Sequence, residues 1–219
     1  QYLPKLIDAG YCAVIVDQLE DPKLSKGIVK RGVTRIVTPG TLDAEDSVKS
    51  NYICAFAKEK KEMGATLCDL STGELVWVNA NYNEKNIESV ISSFDPSEVL
   101  LLEDEKDFTF PTLPVQFVSK GLSNEKYCEE IVKEFFDISN LESLGLENKI
   151  ASTCSVAMIL KYIQDTQLMD PAHIQKPRRK NLTANMILDR ATIRNLDLIA
   201  NSYDNQIEGS LFSILDETS

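Results

Sequence analysis

The chain has 219 residues and a net charge of −11, with 43% apolar and 26% charged residues, a composition typical of globular proteins. Its length suffices for one large domain or for one medium domain with flanking pieces, and we expect the second arrangement. No apolar run reaches the roughly 18 residues that a membrane-spanning helix needs. The chain begins without a Met or a signal-peptide pattern, so we expect a piece of a longer protein.

The cysteines and the single histidine argue against a structural zinc site. There is no CxxC pair, and His173 has no metal-ligand partner in a motif, so we expect it in a loop. An odd number of widely spaced cysteines in apolar or helical stretches predicts buried free thiols in a reducing cytoplasm. These cysteines are Cys12, Cys54, Cys68, Cys128 and Cys154. We therefore expect a cytoplasmic protein without structural metal.

The negative charge is concentrated in residues 41–175, whereas the two ends of the chain are neutral or slightly basic. The phosphate backbone of a nucleic acid would be repelled by this central part. Any contact with DNA is therefore expected at the ends, or in parts of the protein outside this chain.

Residues 1–41 are predicted to form part of an α/β domain. An amphipathic helix over residues 2–9 is followed by apolar runs of strand length at 11–16 and 33–37. Between these strands, Asp21 and Pro22 have the residue types of a helix N-cap and a first helical position. A turn at 38–41 closes this piece, and the polar residues 42–50 are predicted to be a linker.

A second domain, residues 51–170, is predicted around an antiparallel hairpin at residues 63–79. Asp69, Ser71 and Gly73 form a cluster of turn residues between its two apolar strands. Trp77 on the second strand is expected to pack in the sheet.

Further strands and helices complete this second domain. The strands are predicted at 52–57, 99–102 and 115–118, and the second of them, wholly apolar, is expected beside the hairpin. Asn83 and Ser123 are predicted N-caps of two helices, and the apolar helix 150–163 should be largely buried. The sequence thus predicts a mixed α/β sheet with helices packed on it.

Residues 171–219 are predicted to be the first helices of an all-α domain. A basic loop at 176–180 precedes one helix capped by Asp189 and another that begins at Gly209 and Ser210. Two such short helices cannot bury their apolar stripes alone.

Five segments, in order, resemble signatures of the MutS family of DNA mismatch repair proteins. They are YLPKL at 2–6, DQLEDP at 17–22, VTRIVTPGT at 33–41, DLSTGE at 69–74 and LDRATIRNL at 188–196. The resemblance implies that the three regions are the end of the mismatch-binding domain, an RNase H-like connector domain, and the start of the core or lever domain.

The resemblance also implies a function for the whole protein and a role for this piece. The full-length protein is expected to be a homodimeric, DNA-dependent ATPase that uses ATP and Mg²⁺, binds mismatched duplex DNA and initiates repair. No Phe-Tyr-Glu stretch and no G-x-x-x-x-G-K-[ST] P-loop occurs in these residues. This piece is therefore expected to be a connector without catalytic or metal-binding residues, which relays DNA and nucleotide state and docks the partner MutL.

Two alternatives remain open. An RNase H-like nuclease or resolvase would need Asp69 to meet further carboxylates such as Glu74, Glu103 or Asp104 around metal ions, whereas the turn chemistry favours Asp69 as a turn former. A MutS paralogue acting in recombination would differ in residues that precede this chain.

Candidate binding residues are of two kinds. Basic residues expected to contact DNA are Lys26, Lys30, Arg31 and Arg35 near the N-terminus and Arg178, Arg179 and Lys180, next to Lys176, near the C-terminus. Polar residues on two helices are expected to dock the partner: Glu129, Glu130, Glu134, Gln164 and Asp165.

Overall fold

The computed structural model describes residues 2–9, 11–20, 29–42, 51–105, 108, 110, 112–167, 172–182, 190–203 and 206–216. The chain forms two compact units, Gln1–Tyr82 with Pro96–Asn181 and Asn83–Asp95 with Leu182–Ser219. The helices are α1 (Leu3–Asp8), α2 (Glu84–Phe94), α3 (Glu125–Phe136), α4 (Ile150–Gln167), α5 (Arg190–Asn195) and α6 (Leu211–Leu215). The strands are β1 (Ala13–Gln18), β2 (Arg31–Val37), β3 (Tyr52–Glu59), β4 (Glu62–Asp69), β5 (Glu74–Asn81), β6 (Glu98–Leu102), β7 (Val115–Val118) and β8 (Arg178–Arg179). None of the described helices is both long and apolar enough to cross a bilayer.

The N-terminal part of the first unit is a two-stranded antiparallel sheet. β1 pairs with β2, and the register shifts between Ile15 and Val16. A 3-10 turn, Pro39–Thr41, follows β2 where the sequence predicts a turn. The predicted helical turn after Asp21 and the predicted linker from residue 43 onward lie outside the described residues.

The rest of the first unit is built on a six-stranded mixed sheet with the strand order β7-β6-β3-β4-β5-β8. The pairs β3–β4 and β4–β5 are antiparallel, whereas β3–β6, β6–β7 and β5–β8 are parallel. This arrangement confirms the predicted fold class, a mixed α/β sheet of RNase H-like type.

Two sequence predictions about this sheet were wrong. β6 pairs with β3 and not with the hairpin, because β3 joins β4 through a tight turn at Lys60 (φ 56°) and leaves its other edge open to β6. The basic segment 176–180 is not only a loop, since β8 adds to the outer edge of β5, with Val76 opposite Arg178 and Trp77 opposite Arg179.

Helices α3 and α4 cover one face of the sheet, and α4 is buried along most of its length. α4 packs closely on β4, where Thr66 and Ser155 share a buried hydrogen bond of 2.7 Å between their hydroxyl oxygens. Trp77 is fully buried on this face, and its indole N–H donates to the Leu144 carbonyl oxygen at 3.3 Å. The predicted burial of this helix and the packing role of Trp77 are confirmed.

The opposite face of the sheet carries an aromatic cluster. The Phe56 ring lies 5.4 Å from that of Phe108 and 5.3 Å from that of Phe110, measured between centroids. Tyr82 meets Phe108 edge-on at 5.3 Å, and the Lys58 ammonium lies 4.1 Å from the Tyr82 centroid. The central strands are therefore buried on both faces, which explains their continuous apolar runs.

Local side-chain chemistry caps the helices, with one change from the prediction. Asn83 caps α2 as predicted, accepting from the Asn86 amide at 2.9 Å. The predicted cap of α3 at Ser123 was wrong. The Ser123 hydroxyl donates to the Lys120 carbonyl within a preceding 3-10 turn, so that Asn124 instead accepts from the Tyr127 amide at 3.1 Å.

The second unit consists of helical segments. α6 begins where a helix is predicted, and Ser210 caps it by accepting from the Ser213 amide at 3.1 Å. The Leu211 amide donates to the Asp197 carbonyl at 2.8 Å. The apolar side chains Ile214 and Leu215 of α6 are each more than half exposed, in line with the expectation that short helices cannot bury their apolar stripes alone. The predicted cap Asp189 lies outside the described residues.

The cysteine prediction holds for four of five residues. Cys54, Cys68, Cys128 and Cys154 are buried free thiols, whereas Cys12 is exposed. Cys12 stands just before the two-stranded sheet, which offers too little structure to bury it, and its sulfur accepts from the Gln116 side-chain amide at 3.5 Å.

Candidate functional site

Asp69 is a turn former in this structure. It ends β4, is 1% exposed, and its Oδ1 accepts from the Ser71 amide at 2.9 Å and from the Ser71 hydroxyl at 2.6 Å. These are the local bonds that the residue types of the turn predict. Oδ1 of this carboxylate is therefore engaged in its own turn.

The other carboxylates of the nuclease hypothesis have different partners. Glu74 accepts from the Tyr52 hydroxyl at 2.5 Å. Asp104 pairs with Lys120 at 2.6 Å, and the hydrogen bond from Lys120 lowers the pKa of Asp104. Among the described residues, no group of three or more His, Cys, Asp or Glu side chains could hold a metal ion. The geometry gives the nuclease alternative no support.

His173 lies in a loop that packs against the hairpin turn. Its Nε2 lies 2.7 Å from the Leu70 carbonyl oxygen. Gly73 has φ of 70°, and a Cβ on it would come within 2.2 Å of the His173 carbonyl oxygen. Only glycine fits this close approach without displacing backbone, so the turn and the loop position each other.

The docking candidates divide between two surfaces. Glu134 of α3 and Gln164 of α4 line a recess of about 350 Å³ whose apolar walls include Ile131, Phe135 and Ile174. We call this recess the α3–α4 recess. Glu130 and Glu134 are exposed, while Glu129 is half-buried and pairs with Lys133 at 3.4 Å. Glu129 and Glu130 do not line the recess, although they lie on the same helix as Glu134.

Asp165 belongs to a second recess, on another side of α4. It pairs with Lys161 at 2.8 Å, and both residues line a space of about 380 Å³ together with Phe117, Tyr127 and Tyr162. Phe117 is 60% exposed and Tyr127 43% exposed, so this second recess has exposed aromatic walls. Periodicity within one helix could not predict it, because strand, helix and N-terminal residues all contribute.

The basic candidates are on separate elements. Lys26 lies outside the described residues. Lys30 and Arg31 are exposed at the start of β2, with Lys30 3.6 Å from Glu20. Arg35, further along the strand, is half-buried and donates to the Thr41 carbonyl oxygen at 2.5 Å, which makes it a structural residue here.

The second basic group sits on the edge of the six-stranded sheet. Arg178, Arg179 and Lys180 are exposed, and the Arg179 guanidinium lies 5.5 Å from the Trp77 ring centroid. The Lys180 amide donates to the Trp77 carbonyl oxygen at 2.8 Å. Strand pairing therefore presents these three residues as an ordered edge.

Glu98 was not singled out by sequence reasoning. It is fully buried at the start of β6, and its Oε1 accepts from the Thr38 hydroxyl at 2.8 Å. Burial raises its pKa to about 7, although the Thr38 and Tyr162 hydroxyls and the Gly40 amide beside the carboxyl act to lower the pKa. A carboxylate directly preceding the wholly apolar run 99–102 was the signal that could have indicated it.

Comparison with known proteins identifies the family. The family model for MutS domain II matches residues 51–175, and that for MutS domain I matches residues 1–46. Proteins named DNA mismatch repair protein MutS are similar over nearly the whole chain. That of Methanosarcina barkeri is 36% identical over 242 residues, covering 99% of this chain and 27% of the relative. That of Cytophaga hutchinsonii is 35% identical over 225 residues, covering 99% and 26%.

A third relative gives the same result. The MutS protein of Clostridioides difficile is 34% identical over 227 residues, covering 100% of this chain and 23% of that protein. The chain thus spans about a quarter of the length of the curated relatives it matches. Matches to two successive domains of one family, in their order along the chain, show that this chain belongs to the MutS family of DNA mismatch repair proteins.

Proposed function

We propose that this chain is the part of a MutS mismatch repair protein that connects the DNA-reading domain to the ATPase-coupled lever and docks MutL on its connector. The whole protein would then bind mismatched duplex DNA, hydrolyse ATP with Mg²⁺ and act as a homodimer in the cytoplasm. The similarity to proteins named MutS over 99% of the chain supports this proposal.

The observation that carries the docking role is the α3–α4 recess. It combines apolar walls from Ile131 and Phe135 with the exposed carboxylate of Glu134 at its edge. Binding energy in protein interfaces comes mainly from side chains buried in such recesses, while charges at the rim determine orientation and association rate. The recess suits an apolar side chain of MutL followed by a basic one.

A charge reversal tests the docking surface. Glu134→Lys in the 219-residue chain should weaken binding of purified MutL by about tenfold, because a matching basic group would then be repelled. Glu147→Lys makes the same charge change at an exposed position outside the recess and should change the affinity less than about twofold. Surface plasmon resonance with immobilised MutL measures both. Equal affinities for the two variants would remove the recess from the proposal.

DNA contact is proposed for the exposed basic residues at the two ends, Lys30 and Arg31 and the edge formed by Arg178, Arg179 and Lys180. A chain of net charge −11 should bind duplex DNA weakly by itself. Titration of a mismatched duplex and of MutL at about 50 and 200 mM salt separates the two roles, since phosphate contacts weaken steeply over this range. Tight, salt-sensitive binding of DNA with no binding of MutL would contradict the connector role.

A further inference from the structure

A buried polar cluster joins the end of the N-terminal piece to the six-stranded sheet. The Thr38 hydroxyl donates to Glu98 Oε1 at 2.8 Å, and its oxygen lies 3.0 Å from that of Thr41. The Thr38 amide in turn donates to the Thr41 hydroxyl at 2.7 Å. Residues 38–42, which we call the junction segment, thus bond to themselves and to β6.

The junction segment fits tightly against the sheet. A Cβ on Gly40 would come within 2.4 Å of Ile53 Cγ1 and 2.8 Å of Glu98 Oε1. The Asn51 side-chain amide donates to the carbonyl oxygens of Pro39 at 3.0 Å and of Leu42 at 3.2 Å. Glu98 is therefore sealed from solvent by the segment that bonds to it.

The surroundings of Glu98 favour its neutral form. Ile53 of β3 is apolar, and Tyr162 of α4 is the titratable group that approaches the carboxyl. Neither Glu98 Oε2 nor the Tyr162 hydroxyl completes a hydrogen bond of good geometry. Burial raises the pKa of Tyr162, and the neighbouring Glu98 and Cys12 raise it further. The Tyr162 hydroxyl therefore stays protonated. On the segment side, the Arg35 guanidinium donates to the Thr41 carbonyl oxygen.

We propose that Glu98 is a positioning residue that holds the junction segment on the sheet through its protonated carboxyl, and that its ionisation loosens this attachment. The neutral carboxyl accepts from Thr38 through Oε1, and the proton it carries removes the charge that burial disfavours. An ionised carboxyl has to be hydrated, and the junction segment must open to admit water. The inference is independent of the MutL docking role.

The size of the effect follows from proton linkage. The pKa of Glu98 is about 7 with the segment closed and 4.5 when the carboxyl is in water. The equilibrium constant for opening should then rise by up to about 30-fold between about pH 5.5 and 8.5. Because this range includes neutral pH, small changes in pH would alter how firmly the MutS domain I part is attached to the domain II part.

Hydrogen exchange of single amides tests the proposal on the 219-residue chain. The amides of Thr38 and Thr41 are hydrogen-bonded within the junction segment. NMR measures the opening constants of these two amides after correction for the pH dependence of intrinsic exchange. In the unaltered chain, both constants should rise by up to about 30-fold between about pH 5.5 and 8.5. In Glu98→Gln the two opening constants should vary less than about threefold over the same range, because the side-chain amide of glutamine does not titrate.

A matched control removes an exposed carboxylate just beyond the same strand. Glu103→Gln should leave the pH dependence of both amides as in the unaltered chain. The same pH dependence in Glu98→Gln as in the unaltered chain would overturn the proposal. Should Glu98→Gln not fold, the side-chain carboxyl ¹³C shift of Glu98 in the unaltered chain decides. A titration midpoint near 7 supports the proposal, and a midpoint near 4.5 overturns it.

Discussion

Replacing Gly64 with alanine should destabilise the chain by about 3 kcal/mol, the upper end of the usual cost of overpacking a core. A Cβ at Gly64 would lie 2.3 Å from the carbonyl carbon and oxygen of Ala151 and 2.4 Å from the Ser152 amide nitrogen. These are backbone atoms of α4, which cannot rotate away as a flexible side chain can. Reaching normal contact distance requires β4 and α4 to separate by about 1 Å, and such a gap forfeits a quarter to a half of each dispersion contact.

Other terms are too small to reverse the sign. Separation of β4 from α4 would also stretch the buried Thr66–Ser155 hydrogen bond of 2.7 Å. Alanine reduces the entropy of the unfolded chain, but this stabilises by only about 0.4 to 1 kcal/mol. The net effect should therefore remain a destabilisation of more than about 2 kcal/mol.

Urea denaturation followed by far-UV circular dichroism measures the effect as a lower midpoint, by roughly 1 M for a chain of this size. The control is Gly121→Ala, because a Cβ at Gly121 meets its nearest atom, Ser119 Oγ, at an ordinary 3.6 Å. It should change stability by less than about 0.5 kcal/mol. Equal midpoints for the two variants would refute the close packing of β4 on α4.

Three further stability predictions use the same denaturation assay. Thr66→Val should lower the free energy of unfolding by about 1 to 2 kcal/mol, because the buried Ser155 hydroxyl loses one of its hydrogen-bond partners. An unchanged free energy of unfolding would contradict the hydrogen bond between Thr66 and Ser155. Asp137→Gly should raise the free energy of unfolding by about 0.5 to 1 kcal/mol, because Asp137 follows α3 at φ 49°, a left-handed conformation that glycine adopts without strain. A destabilised variant would contradict that conformation. The pKa of Glu98, about 7 in the folded chain, lies above its ordinary 4.5, so its contribution to stability is complete below pH 4.5 and is lost as pH rises to 7. The free energy of unfolding should fall by about 3 kcal/mol over this range, and Glu98→Gln should remove this pH dependence. A variant with the same pH profile as the unaltered chain would contradict the burial of Glu98.

Local residue chemistry predicted much of the fold. The hairpin at 63–79 followed from turn residues between apolar runs, and Asn83 was predicted as a cap because its side chain bonds an amide three residues away. Asp69 was likewise predicted as a turn former because its partner, Ser71, is only two residues distant. Interactions of this range depend on neighbouring residues alone.

Among candidate binding residues, the sequence could propose residue types but not their grouping. Glu134 and Gln164 meet at one recess, while Asp165, next to Gln164 in sequence, lines another. Arg35 looked like the other basic residues of its segment, yet it bonds to the Thr41 carbonyl. Successive residues of a helix point in different directions, so only the packing of α3, α4 and β7 determines which of them share a surface.

The sequence by itself indicated most of the described helices and strands and the MutS signatures, because both depend on residues close together along the chain. The tertiary structure decided that β6 pairs with β3, that β8 extends the sheet, and that Glu98 is sealed beneath Thr38, 60 residues away. Apolar runs indicate that a strand is buried but do not specify which strand lies beside it, since any sheet edge with free backbone groups can form the hydrogen bonds that the strand needs. The raised pKa of Glu98 is a property of that long-range packing.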